Sequence, residues 1–167
     1  MRAIIQRVQS ASVAVEGSVT GSIRQGLLVL LGVQTDDTEA ELQWISRKIV
    51  QIRCFEDEAG KLNRSLLDIQ GEILLISQFT LFGSLKKGSR PSFNRAAPPE
   101  RAEALYELAK LSLATELGRE IACGIFGGDM QIQSHLDGPV TLILDTRNKE
   151  VCKNLMLKRF SLTITFL

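Results

Sequence analysis

Residues 26–33, Gly-Leu-Leu-Val-Leu-Leu-Gly-Val, are apolar without a break and carry a glycine near each end. The run is short for a helix, and an unbroken apolar stretch of this length suits a strand covered on both faces. The flanking segments supply candidates for the cover. Upstream, Ile4–Val8 and Ala11–Val15 read as strands, and Glu16-Gly17 as a turn. Downstream, Leu42, Ile45, Ile49 and Ile52 recur at helical spacing behind the possible N-caps Asp36, Asp37 and Thr38.

Glu56 to Lys61 is a polar turn. Glu72 to Phe82 is again strongly apolar, interrupted by Ser77, Gln78 and Thr80, and residues 83–94 form a loop with two glycines and a proline. Pro98-Pro99-Glu100 opens a second helix with apolar positions Ala102, Leu105, Ala109 and Leu113, and Gly118 stops it. Ile121–Phe126, Met130–Ser134 and Val140–Leu144 return to strand, with Asp137-Gly138-Pro139 expected to turn between the last two. Strands outnumber helices and do not alternate strictly with them. The expected class is α+β: antiparallel β-barrel-like sheets with two or more helices packed outside.

Composition excludes several functions. With 44% apolar and 23% charged residues the chain is of ordinary globular make-up. Its 167 residues suit one domain. No apolar run approaches the ~18–20 residues of a membrane span, and Arg2, Gln6 and Arg7 interrupt the first nine residues, unlike a secretory signal. Cys54, Cys123 and Cys152 are odd in number and far apart, which fits a reducing cytoplasm better than a disulfide framework. Cys54 and Cys123, in apolar settings, read as small hydrophobes. His135 is the only imidazole, so a two-histidine metal site within one chain is impossible, and it reads as a surface turn residue. Nine aromatic residues do not favour a base-stacking platform. Phosphate-binding loops, dinucleotide fingerprints and nucleophile elbows are absent.

Three features remain. Ser77-Gln78-Phe79-Thr80 puts three polar side chains at the end of an apolar strand. This reads either as a strand leaving the core or as a strand end facing a substrate. Gly138-Pro139 is either an ordinary turn or a bare stretch of backbone able to approach a ligand closely. Lys86, Lys87, Arg90 and Arg95, with Phe93 among them and no acid between residues 84 and 95, form either a solvated loop or a phosphate-contacting one. Met130, after Gly127-Gly128-Asp129, reads as a core side chain.

Taken in order, Ile5-Gln6-Arg7-Val8, Ala11-Ser12-Val13, residues 26–33, Ser77-Gln78-Phe79-Thr80-Leu81, Arg90-Pro91-Ser92-Phe93, Asp129-Met130-Gln131 and Asp137-Gly138-Pro139-Val140-Thr141 resemble the D-aminoacyl-tRNA deacylases of the bacterial and eukaryotic type. The resemblance spans residues 1 to about 146, which it marks as a deacylase domain. It implies a small β-barrel-like domain that forms a homodimer and hydrolyses the ester of D-aminoacyl-tRNA and of glycine mischarged on tRNA; the ligand inventory of the sequence leads us to expect no metal or cofactor. Ser77, Gln78, Phe79 and Thr80 would line the site, and Gly138 and Pro139 would reach into it from the partner as a glycine–cis-proline element. Met130 and Phe93 would be nearby pocket residues, and Lys86, Lys87, Arg90 and Arg95 possible tRNA contacts. Leu136 departs from the asparagine usual before Asp-Gly-Pro. The alternative is a nucleic-acid-binding accessory protein of the same fold without hydrolase activity.

Residues 147–167 stand apart as a basic extension. They hold five of the chain's 20 basic residues and one of its 19 acids, a local net charge of +4 against −3 for residues 1–146. Ser161 to Phe166 alternates and suits an edge strand, a surface for a partner, or a loosely held terminus.

Overall fold

The glycine-bounded run forms strand β3 (Gly26–Gly32), and it is covered on both faces as its composition requires. The computed structural model describes residues 1–149. On one side β3 pairs antiparallel with β1 (Arg2–Val15), and on the other it pairs parallel with β6 (Glu72–Ser77). Leu27, Val29 and Leu31 point into the larger core beneath the helices. Leu28 points the other way and joins Val8, Val13, Leu74 and Ile76 in a second core.

Helix α1 (Glu39–Gln51) lies in the connection between β3 and β6. Thr38 caps it: its hydroxyl accepts from the Ala40 N–H at 3.3 Å, and the Glu41 carboxylate accepts from the Thr38 N–H at 3.0 Å. Leu42, Ile45 and Ile49 are buried as their spacing predicts. Helix α2 (Pro99–Leu117) begins on a proline, where the missing N–H costs nothing, and ends at Gly118, whose φ of 75° favours glycine. Ala102, Leu105, Ala109 and Leu113 are buried, and the buried Tyr106 hydroxyl donates to the Leu75 carbonyl at 2.9 Å.

The remaining strands are β2 (Ser18–Ile23), β4 (Phe55–Glu56), β5 (Leu62–Arg64), β7 (Ala122–Cys123) and β8 (Met130–Asp145). The main sheet runs β2-β1-β3-β6-β7, and β8 pairs with β1 along nearly its whole length. β2 returns toward β7: a Cβ on Gly21 would stand 2.8 Å from the Cys123 carbonyl oxygen, so only glycine permits this closure. The N-terminal ammonium of Met1 is buried between the Asp37 carboxylate and the Thr146 hydroxyl, each at 2.6 Å, which ties the end of β8 to the start of β1. Burial pushes that ammonium below its ordinary pKa, against the opposing pull of Asp37.

The α+β class and the two outer helices hold. The sheet, however, is mixed, because β3-α1-β6 and β6-α2-β7 are crossover connections between parallel strands. The expected turn at Asp137-Gly138-Pro139 does not exist as a reversal. β8 continues through it, with residues 137–140 bulging opposite Arg7 alone, between the pairs Gln6–Thr141 and Val8–Leu136. His135 is exposed, as expected, but stands in β8 opposite Ser10 and not in a turn. Cys54 is buried and Cys123 half-buried among apolar neighbours; Cys152 lies outside the described residues.

Candidate active site

Strand β6 ends at Ser77, opposite Leu31, and the Gln78 N–H makes the last bond of the ladder to the Leu31 carbonyl at 2.8 Å. The chain then winds into a 3-10 turn, Phe79–Phe82. Gly32 makes room for it, since a Cβ there would lie 2.9 Å from the Gln78 carbonyl oxygen and 3.0 Å from the Phe82 ring. Within the turn the Leu81 N–H is the first to bond back, to the Gln78 carbonyl at 3.4 Å, followed by Gly83 N–H to the Thr80 carbonyl at 2.9 Å. The N–H groups of Phe79 and Thr80 come before that first bond, and Gln78 provides no side-chain cap. Instead the Gln78 amide donates to the Thr80 hydroxyl. Ser77 and Gln78 are half-buried, and Phe79 and Thr80 are exposed. This strand end therefore offers free main-chain donors beside a braced pair of polar side chains.

Phe93 meets Phe79 edge to face, with ring centroids 5.1 Å apart at 72°. The loop holding Phe93 is closed by reciprocal Ser84–Ser92 main-chain bonds of 2.8 and 3.0 Å. Lys86, Lys87, Arg90 and Arg95 are all exposed. Met130 is half-buried on the second core and lies against Gly124 together with Ile76, the residue that precedes Ser77. Five sequence-flagged residues thus converge on one strand end, with Met130 behind it.

Gly138 and Pro139 are exposed on the bulge of β8, and the peptide bond between them is cis. The residue that holds the bulge is Arg7, whose own role the sequence reading missed. Its Nε donates to the Asp137 carbonyl at 3.3 Å and stands 2.9 Å from the Asp137 carboxylate. Its Nη1 donates to the Cys54 carbonyl at 2.7 Å. The signal was present in the alternation: Ala3, Ile5 and Arg7 share one buried face of β1, and a charge at an inward position demands partners. The side chain of Arg7 is only 6% exposed. Burial also pushes the neighbouring Cys54 thiol up to about 11, against the opposing charge of Arg7.

Within one chain the two elements stand apart. Ser77 is level with Leu31 and hence with Ala3, whereas the bulge is level with Arg7. That is four residues, or roughly 13 Å, along β1, with β6 and β8 on opposite sides of the β1–β3 pair. Among the described residues no group of three or more His, Cys, Asp and Glu side chains is placed to hold a metal, and no helix is long and apolar enough to cross a membrane.

Fold and site together define a small barrel-like α+β domain with main-chain N–H groups presented at a strand end. Comparison with known proteins is specific. The family model described as D-Tyr-tRNA(Tyr) deacylase matches residues 4–145. A protein of Opitutus terrae named D-aminoacyl-tRNA deacylase is 53% identical over 150 residues, covering 90% of this chain and 100% of its own length. One of the same name from Cytophaga hutchinsonii is 52% identical with the same coverage. The solved structure of the c-Myc DNA Unwinding Element Binding Protein matches with a TM-score of 0.80 and 44% identity, covering 87% of this chain and 98% of its own. A structure described as a probable eukaryotic D-amino acid tRNA deacylase shares the fold, with a TM-score of 0.77 at 17% identity, covering 86% of this chain and 98% of its own. The chain belongs to the D-Tyr-tRNA(Tyr) deacylase family, and it is a hydrolase.

Proposed function

We propose that the protein hydrolyses the ester joining a D-amino acid, or glycine, to the 3′-terminal adenosine of tRNA, in the cytoplasm and as a homodimer. Water attacks the ester carbonyl, the tetrahedral oxyanion is met by main-chain N–H at Phe79, and the 3′-hydroxyl of the RNA leaves. The 2′-hydroxyl of the same ribose assists the attack. Ser77 and Gln78 order the site, and Phe93 and Met130 bound it. Preorganised donors of this kind typically contribute about 10²–10³ each in rate. The observation that carries the reading is the pair of unbonded amides at the start of the 3-10 turn, in a chain whose family match runs through both site elements.

Chirality is selected by exclusion. Gly138 and Pro139 of one protomer stand against the substrate Cα in the other, where a hydrogen fits and a side chain does not. An L-residue brings its side chain to that wall, whereas a D-residue and glycine bring hydrogen. The separation of the two elements within one chain supports a shared site. So does the surface of β8, where residues 131–136 are all exposed, including Ile132 and Leu136. Lys86, Lys87, Arg90 and Arg95 contact acceptor-end phosphates, giving a shallow dependence of binding on salt.

The test is deacylation of D-Tyr-tRNA and L-Tyr-tRNA side by side: the D-ester is cleaved and the L-ester spared. A second reading, nucleic-acid binding without hydrolysis, is favoured by the likeness to a protein named for binding a DNA element. It predicts that both esters survive while the protein retains nucleic acid.

A further inference from the structure

Among the described residues nothing covers the outer side of the two helices. A groove of about 520 Å³ runs between the start of α1 and α2, lined by Thr38, Glu39, Ala40, Arg101, Ala104 and Leu108. Beside it on α2, Leu108 and Leu111 are 39% and 66% exposed, three residues apart and so on one helical face. Residues 36–51 and 99–117, which build this layer, hold eight acids and four bases.

The chain itself leads there. After β8 the Arg147 guanidinium lies 3.7 Å from the Asp37 carboxylate, ahead of α1. Lys149 sets its ammonium 5.1 Å from the centre of the Trp44 ring, on α1 itself. Two of the five basic residues of the extension thus already engage the helical layer. Residue 150 and those after it lie outside the described residues, and the sequence runs on for 17 residues beyond it. Ten of those are apolar, three are basic and none is acidic. Extended, 17 residues reach up to about 55–60 Å, well beyond the ~10 Å between packed helices. The Opitutus terrae and Cytophaga hutchinsonii relatives are covered over their whole length by the 150 residues they share with this chain, so nothing in those two corresponds to this segment.

We infer that residues 151–167 dock on the α1–α2 face of their own chain, setting apolar side chains over Leu108, Leu111 and the groove and basic ones among the surrounding carboxylates. Three observations meet in this occupant: the direction set by Arg147 and Lys149, the opposed charges of −4 on the helical layer and +4 on residues 147–167, and an exposed leucine pair facing an apolar-rich segment. The inference is independent of the catalytic reading.

The full chain carries its own reporter, because trypsin cuts after Lys153, Lys158 and Arg159. Cleavage there should be at least about tenfold slower than in a free peptide of residues 150–167, since a docked segment must open before it is cut. The substitution Leu111→Asp on the exposed face should remove most of that protection while circular dichroism and deacylation stay unchanged, and 0.5 M salt in place of 0.05 M should remove most of it with circular dichroism unchanged. Three results would overturn the inference. Cleavage as fast as in the free peptide means that the segment is not docked. Protection indifferent to Leu111→Asp means that it docks elsewhere. Protection that rises with protein concentration, or that appears only on adding tRNA, assigns the segment to a second copy or to nucleic acid.

Discussion

Arg7 grips Asp137: its guanidinium Nε stands 2.9 Å from the carboxylate and donates to the main-chain oxygen of the same residue, directly before Gly138. The bulge that carries the glycine and proline is thereby held from beneath by a buried charge, on the strand it opposes. Arg7→Ala leaves the Asp137 carboxylate and the Cys54 carbonyl without their partner. The expected cost is roughly 3 kcal/mol in denaturant unfolding. Arg7→Lys keeps the charge and loses the two-pronged geometry, so its cost should be smaller, with D-over-L discrimination still impaired. Equal stability and discrimination in all three proteins would contradict this role.

Gly138→Ala tests the bulge itself. Gly138 has φ +119°, and a Cβ there would stand 2.9 Å from the Val140 N and Cγ2 atoms and 3.1 Å from Nη2 of Arg7. Backbone conformation and crowding both oppose the methyl group, at about 1–3 kcal/mol for the conformation alone. The bulge must shift, and D-Tyr-tRNA deacylation should fall at least about tenfold, in keeping with the sensitivity of reactions to small misplacement. Single-turnover rates with D-Tyr-tRNA and Gly-tRNA measure it.

Main chain and side chain can be separated at Phe79. Proline is tolerated at the first position of a helical turn, so Phe79→Pro deletes the N–H while preserving the turn. It should lower kcat about 10²–10³. Phe79→Ala keeps the N–H and loses only the ring contact with Phe93, so its kcat should stay within about tenfold of the parent. Thr80→Ala should behave like Phe79→Ala, because the proposed attacking group is water and the Thr80 hydroxyl is braced by Gln78. Loss of turnover in Thr80→Ala with substrate binding intact would make the hydroxyl essential.

Much of this was legible in the sequence. An unbroken apolar run between glycines fixes a doubly covered strand, and the helical stripes of α1 and α2 bury the residues their spacing names. Strand direction was not legible, because the apolar pattern of β3 and β6 is the same whether the neighbour runs parallel or antiparallel. The bulge was misread as a reversal, since Asp-Gly-Pro is turn chemistry in isolation. What carries β8 straight through is Arg7, 130 residues earlier in the chain than Asp137. At the site, Ser77–Thr80 announced itself by polarity at an apolar strand end, whereas the free amides belong to a 3-10 turn that no side-chain pattern encodes.

Cys54 gives a pH-dependent signature. Burial raises its thiol to about 11, so the neutral form is favoured in the folded protein, against the opposing charge of Arg7. The stabilisation is complete below the ordinary thiol range, near 9, and is lost as pH rises from there through about 11. Denaturant midpoints should fall across that window and fall less in Cys54→Ala. Alkylation of Cys54 at neutral pH should be slow until the protein is unfolded.

The central claim is that one protomer's Gly138 bulge serves its partner's Phe79 site, and subunit mixing tests it most directly. Phe79→Pro and Gly138→Ala are each expected to be nearly inactive alone. Unfolded together and refolded, half of the dimers formed at random are mixed, and each has one site with both elements intact. The account predicts recovery of about a quarter of the parent D-Tyr-tRNA deacylation, with L-Tyr-tRNA still spared. A mixture no more active than its two components would contradict a shared site.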